Sequence, residues 1–204
     1  MNTAIQSKDV VDAGDPARRR QAVRRDQLLA IAAELFHERG YHLTGMDDIG
    51  KAAGITGPGV YRHFRSKEEI LETLATEYGG SILQEATEIS QESQDPQAAL
   101  ASLARHYIAT ILKHPAISAV AIYEGRMLRP ETRVTIERTQ RLYVEEWVHV
   151  LLRARPALSD GQARVMVHGA LNLGLSICRY NSGLTDDVVQ TLLANMIVLA
   201  LQAD

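Results

Sequence analysis

The stretch from Leu43 to Lys67, LTGMDDIGKAAGITGPGVYRHFRSK, constrains this chain more than any other. It holds two short helical patterns on either side of one glycine. From Thr44 to Ala53 the apolar residues Met46, Ile49, Ala52 and Ala53 recur at helical spacing, and Thr44 is expected as the N-cap. Gly54 ends that helix, because a helix end often needs the left-handed conformation that glycine tolerates. Ile55 can pack inward. Thr56 is expected to cap a second helix with Pro58 in its first turn, where a missing N–H does no harm. Val60, Tyr61 and Phe64 give that helix one apolar side. Helix, tight glycine turn, helix is the helix-turn-helix pattern, whose second helix can enter the major groove of DNA.

The rest of the chain is read as helical too. A helix from Pro16 or Arg18 to Arg39 lines up Leu28, Ile31, Ala32, Leu35 and Phe36, and Gly40 ends it. Ser66 and Glu69 form a capping box opening a helix that runs to about Ser90. Gly79 and Gly80 lie inside it and imply a kink or the close approach of another helix. Further helices are expected at 96–113, 116–124, 130–154, 159–178 and 185–200, with Ser159 and Gln162 forming a second capping box. The fold class is all-α, with about nine helices. The segment from Val165 to Cys178 is apolar nearly all round. That implies burial against its own core on one side and a second subunit on the other, together with the wide apolar face of 188–200. The alternative is that these two helices close the core of a monomer.

The net charge of −3 hides a division. Residues 16–67 carry a net +5, residues 68–204 a net −6 and residues 1–15 a net −2. A basic head on an acidic body suits phosphate binding confined to one end. Cys178 is the lone cysteine, so no intrachain disulfide forms and a reducing cytoplasm is the natural compartment. No apolar run approaches membrane-spanning length, and no signal-peptide core opens the chain. Residues 1–16 are expected to be a disordered tail. Enzyme chemistry finds no support: the seven histidines show no metal-ligand pairing, no phosphate loop or nucleophile elbow occurs, and no cofactor is implied.

The run Val60-Tyr61-Arg62-His63-Phe64-Arg65-Ser66-Lys67-Glu68 after Ala-Ala-Gly-Ile-Thr resembles the DNA-binding region of the TetR family of transcriptional regulators. The preceding helix, with Leu28-Leu29, Ala32-Ala33, Leu35-Phe36 and Arg39-Gly40-Tyr41, matches as well. The resemblance covers about residues 22–70. It implies an N-terminal three-helix DNA-binding domain, placed at 17–67, and a C-terminal helical ligand-binding and dimerisation domain at 68–204. It also implies a homodimer that meets a palindromic operator on double-stranded DNA.

The first turn of the second helix, Thr56-Gly57-Pro58-Gly59, should face base edges. The family often carries longer polar side chains at the positions of Gly57 and Gly59, and this chain does not. Pro58 can touch a thymine methyl, and Arg62 is the candidate for a guanine, with phosphate as its alternative. Tyr61 and His63 match family positions that hold phosphates; for Tyr61 the other reading is core packing. Thr44 and Lys67 sit at helix starts, where backbone N–H groups favour an anion. Arg18, Arg19, Arg20, Arg24 and Arg25 are either a solvated helix start or an arm on the phosphates, with Arg24 and Arg25 taken as contacts.

By resemblance, the body holds a small-molecule pocket. Tyr107, Tyr123, Arg126, Met127, Trp147, Asn172 and Arg179 are candidates to line it, with ordinary core packing as the alternative for each. Arg126, Arg129, Arg133, Arg138 and Arg141 crowd one segment. They are either a solvated face paired with acids or a seat for an anionic head such as an acyl-CoA. The expected function is a ligand-responsive repressor released by a small hydrophobic or amphipathic effector. The alternatives are a helical small-molecule-binding protein without an operator, an activator, or an effector-independent DNA binder.

Overall fold

A computed structural model describes residues 16–113, 115, 118, 128–180 and 182–203, without the side chains of 16–19 and 179. The described residues form helices and connecting turns only. In chain order they are α1 (Pro16–Arg39), α2 (Met46–Ala52), α3 (Gly57–Val60), α4 (Lys67–Glu92), α5 (Pro96–Lys113), α6 (Pro130–Ala154), α7 (Asp160–Leu175), a 3-10 turn (Ser176–Arg179) and α8 (Asp186–Gln202). Residues 1–15 of the tail expected at 1–16, nearly all of the expected helix at 116–124, and Asn181 lie outside the described residues, while Pro16 already belongs to α1. No described helix is long and apolar enough to cross a membrane.

Two apolar cores organise these helices. The head core gathers Leu28, Ala32 and Phe36 of α1, Ile49 of α2, Val60 and Phe64 around α3, and Ile70, Leu71 and Leu74 of α4. Leu128, just before α6, and Ile136, in its second turn, complete it. The body core gathers Leu100, Leu103 and Ile108 of α5, Trp147 and Leu151 of α6, Val167 and Ala170 of α7, and Ile197 and Leu201 of α8. Each fully buried leucine, isoleucine or phenylalanine contributes about 1.5–3 kcal/mol relative to leaving it in water. Helix α4 belongs to both cores, since Ala86 lies in the second.

The helix starts and stops follow local chemistry. Gly54 adopts φ +67, and its backbone N–H returns to the Lys51 carbonyl. Ser159 and Gln162 form the reciprocal box at α7. At α4, Ser66 accepts from the Glu69 N–H at 3.3 Å, but the Glu69 carboxylate reaches one residue further back, to the Arg65 N–H at 2.7 Å. The start of α2 corrects an expectation: Gly45, not Thr44, is its N-cap, and Asp48 accepts from the Gly45 N–H at 2.8 Å. Thr44 is buried, and its hydroxyl donates to the Leu35 and Gly40 carbonyls. Two arginines leaving α6 finish other helices. Arg153 donates to the carbonyls of Ser90 in the last turn of α4 and of Ser93 and Gln94 just beyond it, and Arg155 to those of Leu201 and Ala203 at the end of α8. These contacts satisfy carbonyls that a helix end otherwise leaves to water.

Two charged contacts hold the head. The Lys67 ammonium donates to the Tyr41, His42 and Thr44 carbonyls at 2.9, 3.4 and 3.1 Å and lies 4.5 Å from the centre of the Tyr41 ring. It thereby pins the α1–α2 turn to the start of α4. Glu72 of α4 is buried and receives the guanidinium and the backbone N–H of Arg129, the N-cap of α6. The Arg129 hydrogen bonds are the main reason the Glu72 carboxyl is held below the usual carboxylate range.

On the outside, Val188, Leu192, Met196 and Leu199 of α8 form an exposed apolar stripe at helical spacing, and Val165 is exposed on α7. Gly169 lies on the same side of α7 with open space before it. Neither α4 glycine marks a close approach: a Cβ at Gly79 would stand at an ordinary contact distance of 3.5 Å from Thr139 of α6, and one at Gly80 would meet open space. Gly174 is tighter, since a Cβ would stand 2.5 Å from the Tyr107 ring.

Two outcomes follow. Lys67→Met should cost the free protein about 1.5–3 kcal/mol, the range for charge-assisted hydrogen bonds, in denaturant melts without DNA. Amide exchange at residues 40–46 should quicken. Glu72→Gln should lower the melting temperature at pH 7 by a few degrees. A carboxyl lowered by folding stabilises above its unfolded value of about 4.3 and loses that contribution as pH falls through the folded value. The melting temperature of the variant should therefore fall less between pH 6 and pH 3.5 than that of the wild type.

Candidate functional site

Two places in this framework offer chemistry: the outer surface of the head and a cavity in the body. On the head, α2 and α3 cross with almost no spacing. A Cβ on Gly50 would stand 3.0 Å from the backbone at Thr56 and Gly57, so only a minimal residue permits this crossing without a shift. Val60 and Phe64 turn inward and are buried. That leaves Thr56, Pro58, Tyr61 and Arg62 exposed, and His63 half-buried, beside them. Tyr61 is 54% exposed, which decides against core packing as its role. Thr56 is the N-cap of α3, but its hydroxyl makes no capping bond. Gly57 is buried and Gly59 packs against Ile55.

Between the starts of α2 and α4 lies a shallow hollow of about 520 Å³, rimmed by His42, Gly45, Tyr61 and Ser66. Its floor is already in use. Thr44 and the Lys67 ammonium are committed to backbone carbonyls as described above, so neither side chain offers a free donor there. Ser66 and the backbone N–H of Glu68 itself hold the Glu68 carboxyl below the usual range, which places a carboxylate at the start of α4.

The arginines of α1 are also engaged. Arg24 donates to the Ala53 carbonyl at 2.7 Å and to Gln27 at 3.1 Å, closing the end of α2. Arg25 pairs with Glu77 of α4 at 3.0 Å and lies 5.0 Å from the centre of the Phe64 ring. Both brace the head internally. Among the described side chains of the head, Arg20, Arg39, Lys51, Arg62 and Arg65 are the exposed arginines and lysines. Lys51 and Arg65 were not singled out from the sequence, and their exposure is a tertiary property that spacing does not reveal.

In the body, a cavity of about 390 Å³ lies between α4, α5, α6 and α7. Its walls are mainly apolar: Ala75, Ile82, Ile111, Ile136, Val144 and Leu171 line it with the rings of Tyr78, Tyr107 and Tyr143. Its polar groups include Thr110, Ser118, Gln140, His168 and Asn172. The Tyr78 hydroxyl donates to the Thr110 carbonyl at 3.3 Å and shares a 2.5 Å hydrogen bond with Ser118. Burial pushes its pKa up to about 12, so it stays a neutral phenol at any physiological pH. Tyr107 donates to the Leu171 carbonyl at 3.0 Å and packs edge-on to Trp147. Burial also pushes the Tyr143 hydroxyl up, an effect that the Trp147 N–H partly offsets without reaching hydrogen-bond geometry. A mostly apolar chamber with a few fixed polar groups is the usual form of a small-molecule site.

Of the residues expected to line a pocket, Tyr107 and Asn172 do. Trp147 does not: it is fully buried in the body core, behind the tyrosines. Tyr123, Arg126, Met127 and the Arg179 side chain lie outside the described residues. The arginine-rich segment divides. Arg129 is spent on Glu72, Arg133 donates to the Leu128 carbonyl at 3.4 Å, and Arg138 and Arg141 are exposed on α6. The aromatic and polar residues that sequence reasoning missed, Tyr78, Tyr143, Gln140 and His168, share the helical spacing of ordinary core or surface positions.

Comparison with known proteins agrees with this architecture. Residues 28–74 match the family model for bacterial regulatory proteins of the tetR family. The chain is 33% identical over 145 residues to the HTH-type transcriptional repressor KstR2 of Rhodococcus jostii, spanning 69% of this chain and 68% of that protein. The solved structure of the ketosteroid transcriptional regulator KstR2 of Mycobacterium tuberculosis superposes with a TM-score of 0.74 at 26% identity, over 86% of this chain and 93% of the other. AibR, solved with isovaleryl coenzyme A and operator DNA, shares the fold with a TM-score of 0.73 at 23% identity, over 85% and 97%. These relatives are regulators rather than enzymes. With its helix-turn-helix head, its all-helical body and a repressor similar over two thirds of both chains, this chain belongs to the TetR family of bacterial transcriptional regulators.

Proposed function

We propose that this protein is a homodimeric, cytoplasmic repressor that binds a palindromic operator and leaves it when a hydrophobic or amphipathic small molecule fills the body cavity. The observation that carries this is the shared wall. Helix α4 contributes Ala75, Tyr78 and Gly79 to the cavity and Ile70, Leu71 and Leu74 to the head core, within about three turns. A molecule that parts α4 from α6 in the cavity therefore acts on the seat of the head.

Thr56, Pro58, Tyr61, Arg62 and His63 are the proposed DNA contacts, with Tyr61 and His63 on phosphates and Arg62 on a base or phosphate. Gly59 lets the backbone come close, whereas Gly57 is buried. Arg24, Arg25, Thr44 and Lys67 serve the geometry of the head instead. The apolar stripe of α8, together with Val165 of α7, is the proposed dimer face, because several large apolar side chains in a row on a monomer surface favour a partner. A two-fold dimer would set its heads about 34–36 Å apart, one turn of DNA.

The cavity volume suits an acyl chain or a compact ring system, and a whole coenzyme A does not fit inside it. An acyl-CoA would leave its nucleotide outside, where Arg138 and Arg141 are exposed. Acyl-CoA thioesters come first for testing because AibR was solved with one and because KstR2 carries a ketosteroid regulator's name. Turning a one-sided equilibrium fully over requires about a 10⁴-fold preference for the released state.

The test is a thermal-shift screen of the full chain against acyl-CoAs and other hydrophobic metabolites, followed by release of DNA from the chain's own promoter region. A ligand that raises the melting temperature and releases DNA is the expected result. Stabilisation with no DNA binding at any salt would favour a binding protein without an operator. Operator affinity should fall steeply with salt. It should drop about ten-fold or more on Tyr61→Ala or Arg62→Ala, with melting temperatures unchanged.

A further inference from the structure

The first turn of α3 is where a recognition helix meets base edges, yet positions 57 and 59 carry no side chains. The space beside Gly57 is not empty. A Cβ built there would lie 1.8 Å from Oδ1 of Asp47 and 3.6 Å from its Cα. Asp47, the second residue of α2, thus fills the volume that a side chain at 57 would begin in, and Gly57 is buried beneath it.

Asp47 differs from its neighbour. Asp48 is spent on the N-cap of α2. Asp47 is exposed, and among the described residues it takes part in no hydrogen bond or ion pair. An exposed carboxylate on a head of net charge +5 is a liability when that head docks on a polyanion. It repels phosphates and gains nothing from the docking unless it meets a donor. In the major groove the donors are the exocyclic amines of cytosine and adenine, and carboxylates pair with cytosine N4.

We propose that Asp47 is a base-reading residue that selects cytosine in each operator half-site, in place of the side chain that α3 lacks at position 57. This rests on the operator-binding reading above. It makes the paired aspartates at 47 and 48 a division of labour, one for the fold and one for the DNA.

The experiment is selection from a random duplex pool by the full-length protein, as wild type, Asp47→Ala, Asp47→Asn and Gly57→Ala. The wild type should enrich a two-fold symmetric site with one position per half-site where cytosine is preferred about ten-fold or more. Asp47→Ala should flatten that position and leave the others. Asp47→Asn should move it towards adenine, which asparagine pairs with through N6 and N7. Gly57→Ala, which displaces the carboxylate, should flatten the same position by an independent route. Asp47 is exposed, so the melting temperatures of its variants should match the wild type. A wild-type motif retained position by position in both Asp47 variants overturns the inference, as does a loss spread evenly over all positions. A wild type that enriches no site overturns the operator-binding reading itself, and the inference with it.

Discussion

The pairing of Glu72 with Arg129 is the contact on which the arrangement of head and body depends. A carboxylate buried beside an apolar core is costly unless it is fully paired. Here it takes both a guanidinium and a backbone N–H from one residue, and that residue is the N-cap of α6. Leu128, one residue earlier, is buried in the head core. The start of α6 is therefore fixed to α4 by charge and by packing together. Removing Arg129 would leave a buried charge; removing Glu72 would free the start of α6. Just beyond the pair, the same two helices line the cavity, with Gly79 and Thr139 within contact range of each other at its wall. Displacement of the cavity walls has to be absorbed at this joint or passed to the head.

The head itself is held by backbone carbonyls acting as ligands. Lys67 gathers three of them, Thr44 two, and Arg24 that of Ala53, the C-cap of α2. Short helices leave many carbonyls without intrahelical partners. A domain with helices of seven and four residues therefore needs side chains to supply donors. Two cations of the head, Lys67 and Arg24, are spent this way. Arg20, Arg39, Lys51, Arg62 and Arg65 remain exposed among the described side chains.

Local signals in the sequence identified the elements well. Helical spacing, Gly54 at a positive φ, the Ser66 cap and the box at Ser159 depend on neighbours within four residues, and all are visible in order along the chain; at Ser66 the return half of the expected box goes to Arg65 instead. Roles that depend on distant partners were not visible. Lys67 meets carbonyls 23 to 26 residues away, and Glu72 meets Arg129 across 57. Thr44 shows how a local rule fails. Threonine is a good cap, but two carbonyls at the end of α1 capture its hydroxyl, so the cap moves to Gly45 with Asp48 in support. In the body, helical periodicity marks a residue as facing inward without telling core from cavity. Trp147 and Tyr107 share one aromatic cluster, yet only Tyr107 reaches the cavity.

The central claim is that the cavity and the DNA-binding surface are one thermodynamic system joined through α4. Linkage makes this measurable from the ligand's side, because an effector that weakens operator binding must itself bind more weakly to the operator complex, by the same factor. The decisive measurement is the effector's dissociation constant for the free protein and for the protein saturated with operator, at one salt concentration. The account predicts weaker binding to the complex by about ten-fold or more. Equal affinity in the two states would contradict it, however tightly the effector binds.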